Sequence, residues 1–218
     1  MKPPAWNLLI LSVFFVQCSS SNITGSWHST ETSSSLQHGR IIVVGLIPES
    51  DKRLQQKMEN HLADELCNLG YDAAASTDIY NFETYEGQDQ KEIIKELKQN
   101  GIIAVLTIVL LDKQKENYHA PKSMFDAAET DTNNFDVYYN AIYSKINEHG
   151  YYVNNTYYFW ESSLFVMPNQ ELVYSAKTQS FNPFSAPALA HEYGRLIIND
   201  MLEHNVIINL YKQKDKKL

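Results

Sequence analysis

Cysteine is scarce in this chain. Cys18 and Cys67 are the two among 218 residues. With Cys18 spent or removed at the N-terminus, as argued below, Cys67 has no partner for a disulfide. Its setting, Leu62-Ala63-Asp64-Glu65-Leu66-Cys67-Asn68-Leu69, reads as a small residue at the edge of a helix's packed stripe. Positive charge is also in deficit: 18 Lys and Arg against 26 Asp and Glu leave a net charge of -8. An acidic chain is a poor partner for a phosphate backbone, so no nucleic acid is expected. Glycine is sparse (8) and nowhere arranged as a phosphate loop. Gly45 stands alone after the first strand, with no Gly-x-Gly-x-x-Gly and no Gly-Lys-Ser/Thr, which argues against a nucleotide or any nucleotide cofactor.

The usual catalytic signatures are missing as well. His191-Glu192 opens like a zinc-peptidase helix, but that motif needs a second His at position 195, which is Arg. Glu192 and Arg195 are expected as a surface ion pair. The other histidines (His28, His38, His61, His119, His149, His204) are scattered without ligand spacing, so no metal is expected. No Gly-x-Ser-x-Gly elbow occurs. Asp126, Glu129 and Asp131 form an acidic group without the alternating ligands and Gly of a calcium loop. No enzyme activity and no cofactor are expected.

What is present begins at the N-terminus. Lys2 precedes a short apolar segment, Leu8 to Val16, of signal-peptide length and too short to span a membrane. Gln17-Cys18-Ser19-Ser20 follows at once. A Cys where the apolar segment stops reads as a lipidated first mature residue; ordinary cleavage after a small residue such as Ser20 is the rival. Residues 1–17 are the expected signal peptide and 18–38 a flexible Ser/Thr-rich tether. A domain over 39–211 and a charged tail over 212–218 complete the expected layout.

The domain is organised around Ile102 to Leu111, an apolar, β-branched run expected as a strand buried on both faces. Arg40 to Ile47 is a second strand. Leu54, Met58, Leu62, Leu66 and Leu69 share one helix face, and Gly70 is the expected left-handed stop. Tyr71 to Ser76 is a short strand, 77–87 a loop, and Asp89 with Glu92 opens a helix ended by Gly101. This is a βαβαβ unit with parallel neighbours. Residues 112–134 are expected as a solvated loop and Phe135 to Ile146 as a helix. Tyr157 to Val166 and Leu172 to Phe181 form a hairpin across Met167 to Glu171. Pro187 suits the first turn of a last helix, and Val206 to Tyr211 is expected as a short edge strand. The fold class is therefore α/β, a mixed sheet in a two- or three-layer sandwich.

Tyr151, Tyr152, Tyr157, Tyr158 and Trp160 are the expected partner-binding residues, since such rings offer contact area with a polar tip. Strand propensity alone also accounts for them, with the rings packed on the sheet. Glu161 among these aromatics is the one candidate for a carbohydrate-binding or hydrolase alternative.

Taken together, Cys18 with its Ser-rich segment, Arg40 to Leu46, Leu66-Cys67-Asn68-Leu69-Gly70-Tyr71, Gly101 to Leu106 and Gln170 to Ala176 resemble small lipid-anchored envelope proteins of Bacteroidetes-type bacteria. Within that group the domain is similar to the N-terminal domain of TolB and to curli-secretion-type lipoproteins. The resemblance implies a non-enzymatic protein, palmitate-bearing at Cys18, that holds an envelope protein or cell-wall component. It implies a periplasm-facing position, on the outer membrane rather than the inner. It carries no catalytic residues.

Overall fold

The computed structural model describes residues 20–30, 36, 38–79, 90–120, 134–146, 151–167 and 169–215. Six strands form one mixed sheet: β1 (Ser21–His28), β2 (Arg40–Leu46), β3 (Asp72–Ala75), β4 (Ile102–Ala120), β5 (Tyr151–Val166) and β6 (Glu171–Phe181). Their order across the sheet is β1-β6-β5-β4-β2-β3. β2 runs parallel to both β3 and β4, and the other pairs are antiparallel. The helices are α1 (Lys52–Asn68), α2 (Ser76–Ile79), α3 (Gln90–Gln99), α4 (Phe135–Ile146), α5 (Ala186–Glu203) and α6 (Leu210–Asp215).

Local chemistry sets the ends of the helices. α1 follows a 3-10 turn over Glu49–Asp51 and carries no side-chain cap at its start. It stops at Gly70, whose φ of 95° suits a residue without Cβ. There the Gly70 N–H donates to the Cys67 carbonyl and the Tyr71 N–H to that of Leu66, the paired bonds of a Schellman motif. Tyr71 and Leu66 are both core residues, which seals that end. Ser185 caps α5 by accepting from the Ala188 N–H, with Pro187 in the first turn.

Directly paired residues share a face of the sheet, so the register defines two faces. On the first lie Ile41, Val43, Ala104, Leu106, Ile108, Trp160, Leu164, Tyr174 and Ala176. All are buried in one cluster with Leu62 and Leu66 of α1 and Tyr193, Ile197 and Met201 of α5. The central strand is where the apolar run placed it, but it alternates. Ile102, Ala104, Leu106 and Ile108 are buried, while Ile103, Val105, Thr107 and Val109 are only half-buried. The second face is therefore covered less completely than expected.

Several segments differ from the sequence reading. Residues 21–28, within the expected tether, form edge strand β1 on β6. Ser21 and Ser180 hydroxyls meet at 2.8 Å in the interior. The Ser20 N–H and hydroxyl both donate to Glu192 Oε2, at 2.9 and 2.6 Å, and its carbonyl accepts from the Phe181 N–H. Glu192 thus turns to Ser20 and not to Arg195. β4 continues through Asp112–Ala120, into the expected loop, as a ribbon with β5. Val206 to Leu210 pair with no strand. Val206 and Ile207 are buried plugs, and the Ile208 N–H donates to the Tyr71 hydroxyl and the Leu210 N–H to the Leu69 carbonyl. Lys212 to Asp215, expected in the tail, lie in α6.

Two buried tyrosines tie α5 to the sheet. The Tyr174 hydroxyl donates to Asp200 Oδ2 at 2.8 Å, and Tyr193 pairs with the Ser162 hydroxyl at 2.7 Å. Burial, with Asp200 adding to it, raises the Tyr174 hydroxyl far above its usual range. Burial raises Tyr193 as well, against the opposing Ser162 bond and with the Glu161 charge adding. The unfolded chain releases both protons near pH 10; the folded chain keeps them. Stability is therefore complete below about pH 10 and lost as pH rises beyond it, by about 1.4 kcal/mol per pH unit for each tyrosine. Urea midpoints should fall steadily above about pH 10, and a flat profile there would contradict this assignment.

Candidate functional site

The second face of the sheet is the first candidate surface. Register places Leu46, Val109, Glu161 and Lys177 in one row across it, and Val44, Thr107, Ser163, Ser175 and Trp27 in the next. Asp112, Phe159, Gln179 and Asn22 make a third row, and Gln114, Tyr157 and Phe181 a fourth. Leu46 (56%), Trp27 (52%) and Phe181 (42%) are exposed, while Val109, Phe159 and Tyr157 are half-buried. The Tyr157 and Phe181 rings lie 4.9 Å apart. Glu161 stands among them with the Lys177 ammonium 3.8 Å away, a cross-strand ion pair flanked by both apolar and polar side chains.

The aromatic residues expected to bind a partner divide between the faces. Tyr157 is on this open face. Trp160 is on the other, fully buried against Tyr193. Tyr158 stacks on Trp160 with Lys113 over its ring, and Lys113 in turn pairs with Asp51 at 2.8 Å. Trp160 is thus a core residue and not a contact surface. Tyr151 and Tyr152 pair with Ala120 and His119 in the ribbon; their side chains lie outside the described residues. So do Cys18, the leader, and the group Asp126, Glu129 and Asp131. Phe159, Phe181, Leu46 and Trp27 belong to the patch and were missed. Phe159 next to Tyr157 was visible in the sequence; its strand phase was not.

In open α/β sheets ligands gather beyond the carboxyl ends of parallel strands. Here that position is filled by the chain itself. Glu59 of α1 is fully buried. One carboxylate oxygen accepts from the Gly45 N–H (2.7 Å) and Gln55 Nε2 (2.9 Å), the other from the Ser76 hydroxyl and Thr77 N–H (both 2.9 Å). A Cβ on Gly45 would lie 2.6 Å from Gln55 Cγ and 2.9 Å from Glu59 Oε1, so the glycine is needed for room. Gly45 cradles an internal carboxylate and not a phosphate.

A third cluster joins α1 to α5. His61 Nε2 lies 3.4 Å from Glu65 Oε1 and 3.2 Å from His191 Nδ1. Burial lowers the His61 imidazole; Glu65 and Asp64 oppose this and His191 adds to it, and the net direction is down. The sequence held one clue, the His61–Glu65 spacing of four on a helix. His191 is 130 residues away.

No protein-family model matches the sequence, and no curated protein does. Solved structures give likenesses of fold. One is the PelC dodecamer from Paraburkholderia phytofirmans, 11% identical, covering 84% of this chain and 98% of that one with a TM-score of 0.43. Another is the lipoprotein GNA1162 from Neisseria meningitidis, 15% identical over 76% of this chain and 99% of that one, also at 0.43. Among the described residues no helix is long and apolar enough to cross a membrane.

Proposed function

We propose that this chain is a non-enzymatic envelope protein, lipid-anchored at Cys18 and facing the periplasm, that binds a protein partner across the open face of its sheet. The observation that carries the reading is the asymmetry of the two faces. One is sealed by α1 and α5. The other presents Leu46, Trp27 and Phe181 to solvent. Exposed aromatic and aliphatic side chains gathered on one face match the make-up of a protein-binding surface. The short apolar leader ending at Cys18 supports export and anchoring.

A photoreactive amino acid placed at Trp27 or Phe181 in the full chain, in cells, is expected to give a discrete crosslinked adduct. The same group at Tyr211, which is exposed on α6, is expected to give none. Adducts equal at all three positions, or none at Trp27 and Phe181, would overturn the surface.

A further inference from the structure

We infer that His61, Glu65 and His191 form a binding site for a divalent transition metal ion of the zinc, nickel or copper class, bridging α1 and α5.

The spacing is the first argument. The three donor atoms all lie within 4.8 Å of one another, and the two shorter separations are 3.2 and 3.4 Å. Two donors bound tetrahedrally to zinc at about 2.0–2.1 Å stand about 3.3 Å apart. An ion set beside His61 Nε2, His191 Nδ1 and the Glu65 carboxylate therefore needs only small side-chain rotations. Chemistry is the second argument. Two imidazole nitrogens and one carboxylate oxygen favour late first-row metals, whereas calcium and magnesium take all-oxygen shells. Two imidazoles edge-on at 4.9 Å share at most one proton between the facing nitrogens, and a carboxylate close to both gains from a cation there.

Backbone packing is the third argument. His61 lies against α5 at Gly194, where a Cβ would come within 2.7 Å of its Cδ2. The absent side chain on α5 leaves the space in which the imidazole sits next to His191. His61 and Glu65 are half-buried and His191 is exposed, so a fourth ligand, water or an anion, can reach the ion from solvent. That side gives onto a groove of about 570 Å³ lined by Arg53, Lys57, Asn60 and Asp64 among others. Two helices clamped by one ion would resist separation, and the site needs no part of the partner surface proposed above.

Untagged full-length protein, dialysed against chelator, should be titrated with zinc chloride and, in parallel, with magnesium chloride. One equivalent of zinc is expected to bind and raise the melting temperature, and magnesium is not. Cobalt should give the visible bands of a tetrahedral ion. His191→Ala and Glu65→Gln, both at or near the surface, should each weaken zinc binding tenfold or more and abolish the melting shift. His204→Ala, in the other histidine pair (rings of His28 and His204 4.4 Å apart), should leave zinc binding as in the wild type. Equal zinc affinity in wild type and His191→Ala, or a shift lost in His204→Ala instead, would overturn the site. Gly194→Ala adds a separate check, because it should lower zinc affinity without removing any ligand.

Discussion

Cys18→Ala is expected to abolish fatty-acid labelling of the protein and to move it from the membrane fraction to the soluble one. Each methylene placed in a bilayer contributes about 0.8 kcal/mol, and stable anchoring takes more than one acyl chain. A multiply acylated cysteine would therefore hold the protein almost completely, and nothing else described would replace it. Cys67 supplies the control. It is exposed, with Sγ 3.3 Å from the Ala73 carbonyl, and Cys67→Ala should keep full labelling. A wild type that takes up no label, or a Cys18→Ala protein labelled equally, would remove the anchor and favour a soluble exported protein.

Glu59→Ala is expected to cost as much stability as truncating a large buried side chain of the apolar core. Four donors converge on that carboxylate: two backbone N–H groups, one amide and one hydroxyl. Truncation leaves these donors without an acceptor at a position sealed from water, and each buried orphan costs about 1–3 kcal/mol. Some relaxation, chiefly of the Gln55 side chain, reduces the sum, so a loss of about 3–5 kcal/mol is expected. That corresponds to a melting temperature about 10 °C lower for a chain of this length. Glu59→Gln should lose less, because one oxygen still accepts while its amide faces the remaining donors. Urea unfolding followed by circular dichroism measures both, and a loss under about 1 kcal/mol for the alanine variant would show that water replaces the carboxylate.

Much of the architecture was legible in the residue pattern, for definite reasons. α1 announced itself by Leu54, Met58, Leu62 and Leu66 and by Gly70. β4 showed as a β-branched run, the β5–β6 hairpin as two such runs about a Pro-Asn turn, and α5 by its stripe behind Pro187. One strand, β1, and the outer half of β4 were hidden. β1 is polar because it lies at an edge and pairs with β6, about 150 residues on, and no local signal encodes that partner. Asp112 and Gln114 to Asn117 are polar and exposed, so no apolar alternation marks that stretch. The site suffered from phase. A strand fixes which residues share a face but not which face looks inward, and so Trp160 was assigned to the surface while its neighbour Phe159, on the open side, was passed over. The His61–His191 meeting depends on how α5 lies across α1, which is a tertiary fact.

The hold of Glu192 and Phe181 on Ser20 has a further consequence for a protein moored at Cys18. Two residues of chain reach at most about 7 Å, so the acyl chains would enter the bilayer almost directly beneath the β1–β6 corner. If the proposed anchoring holds, such a body would ride close against the lipid headgroups with little freedom to swing outward. A partner would then have to come to it within the plane of the membrane.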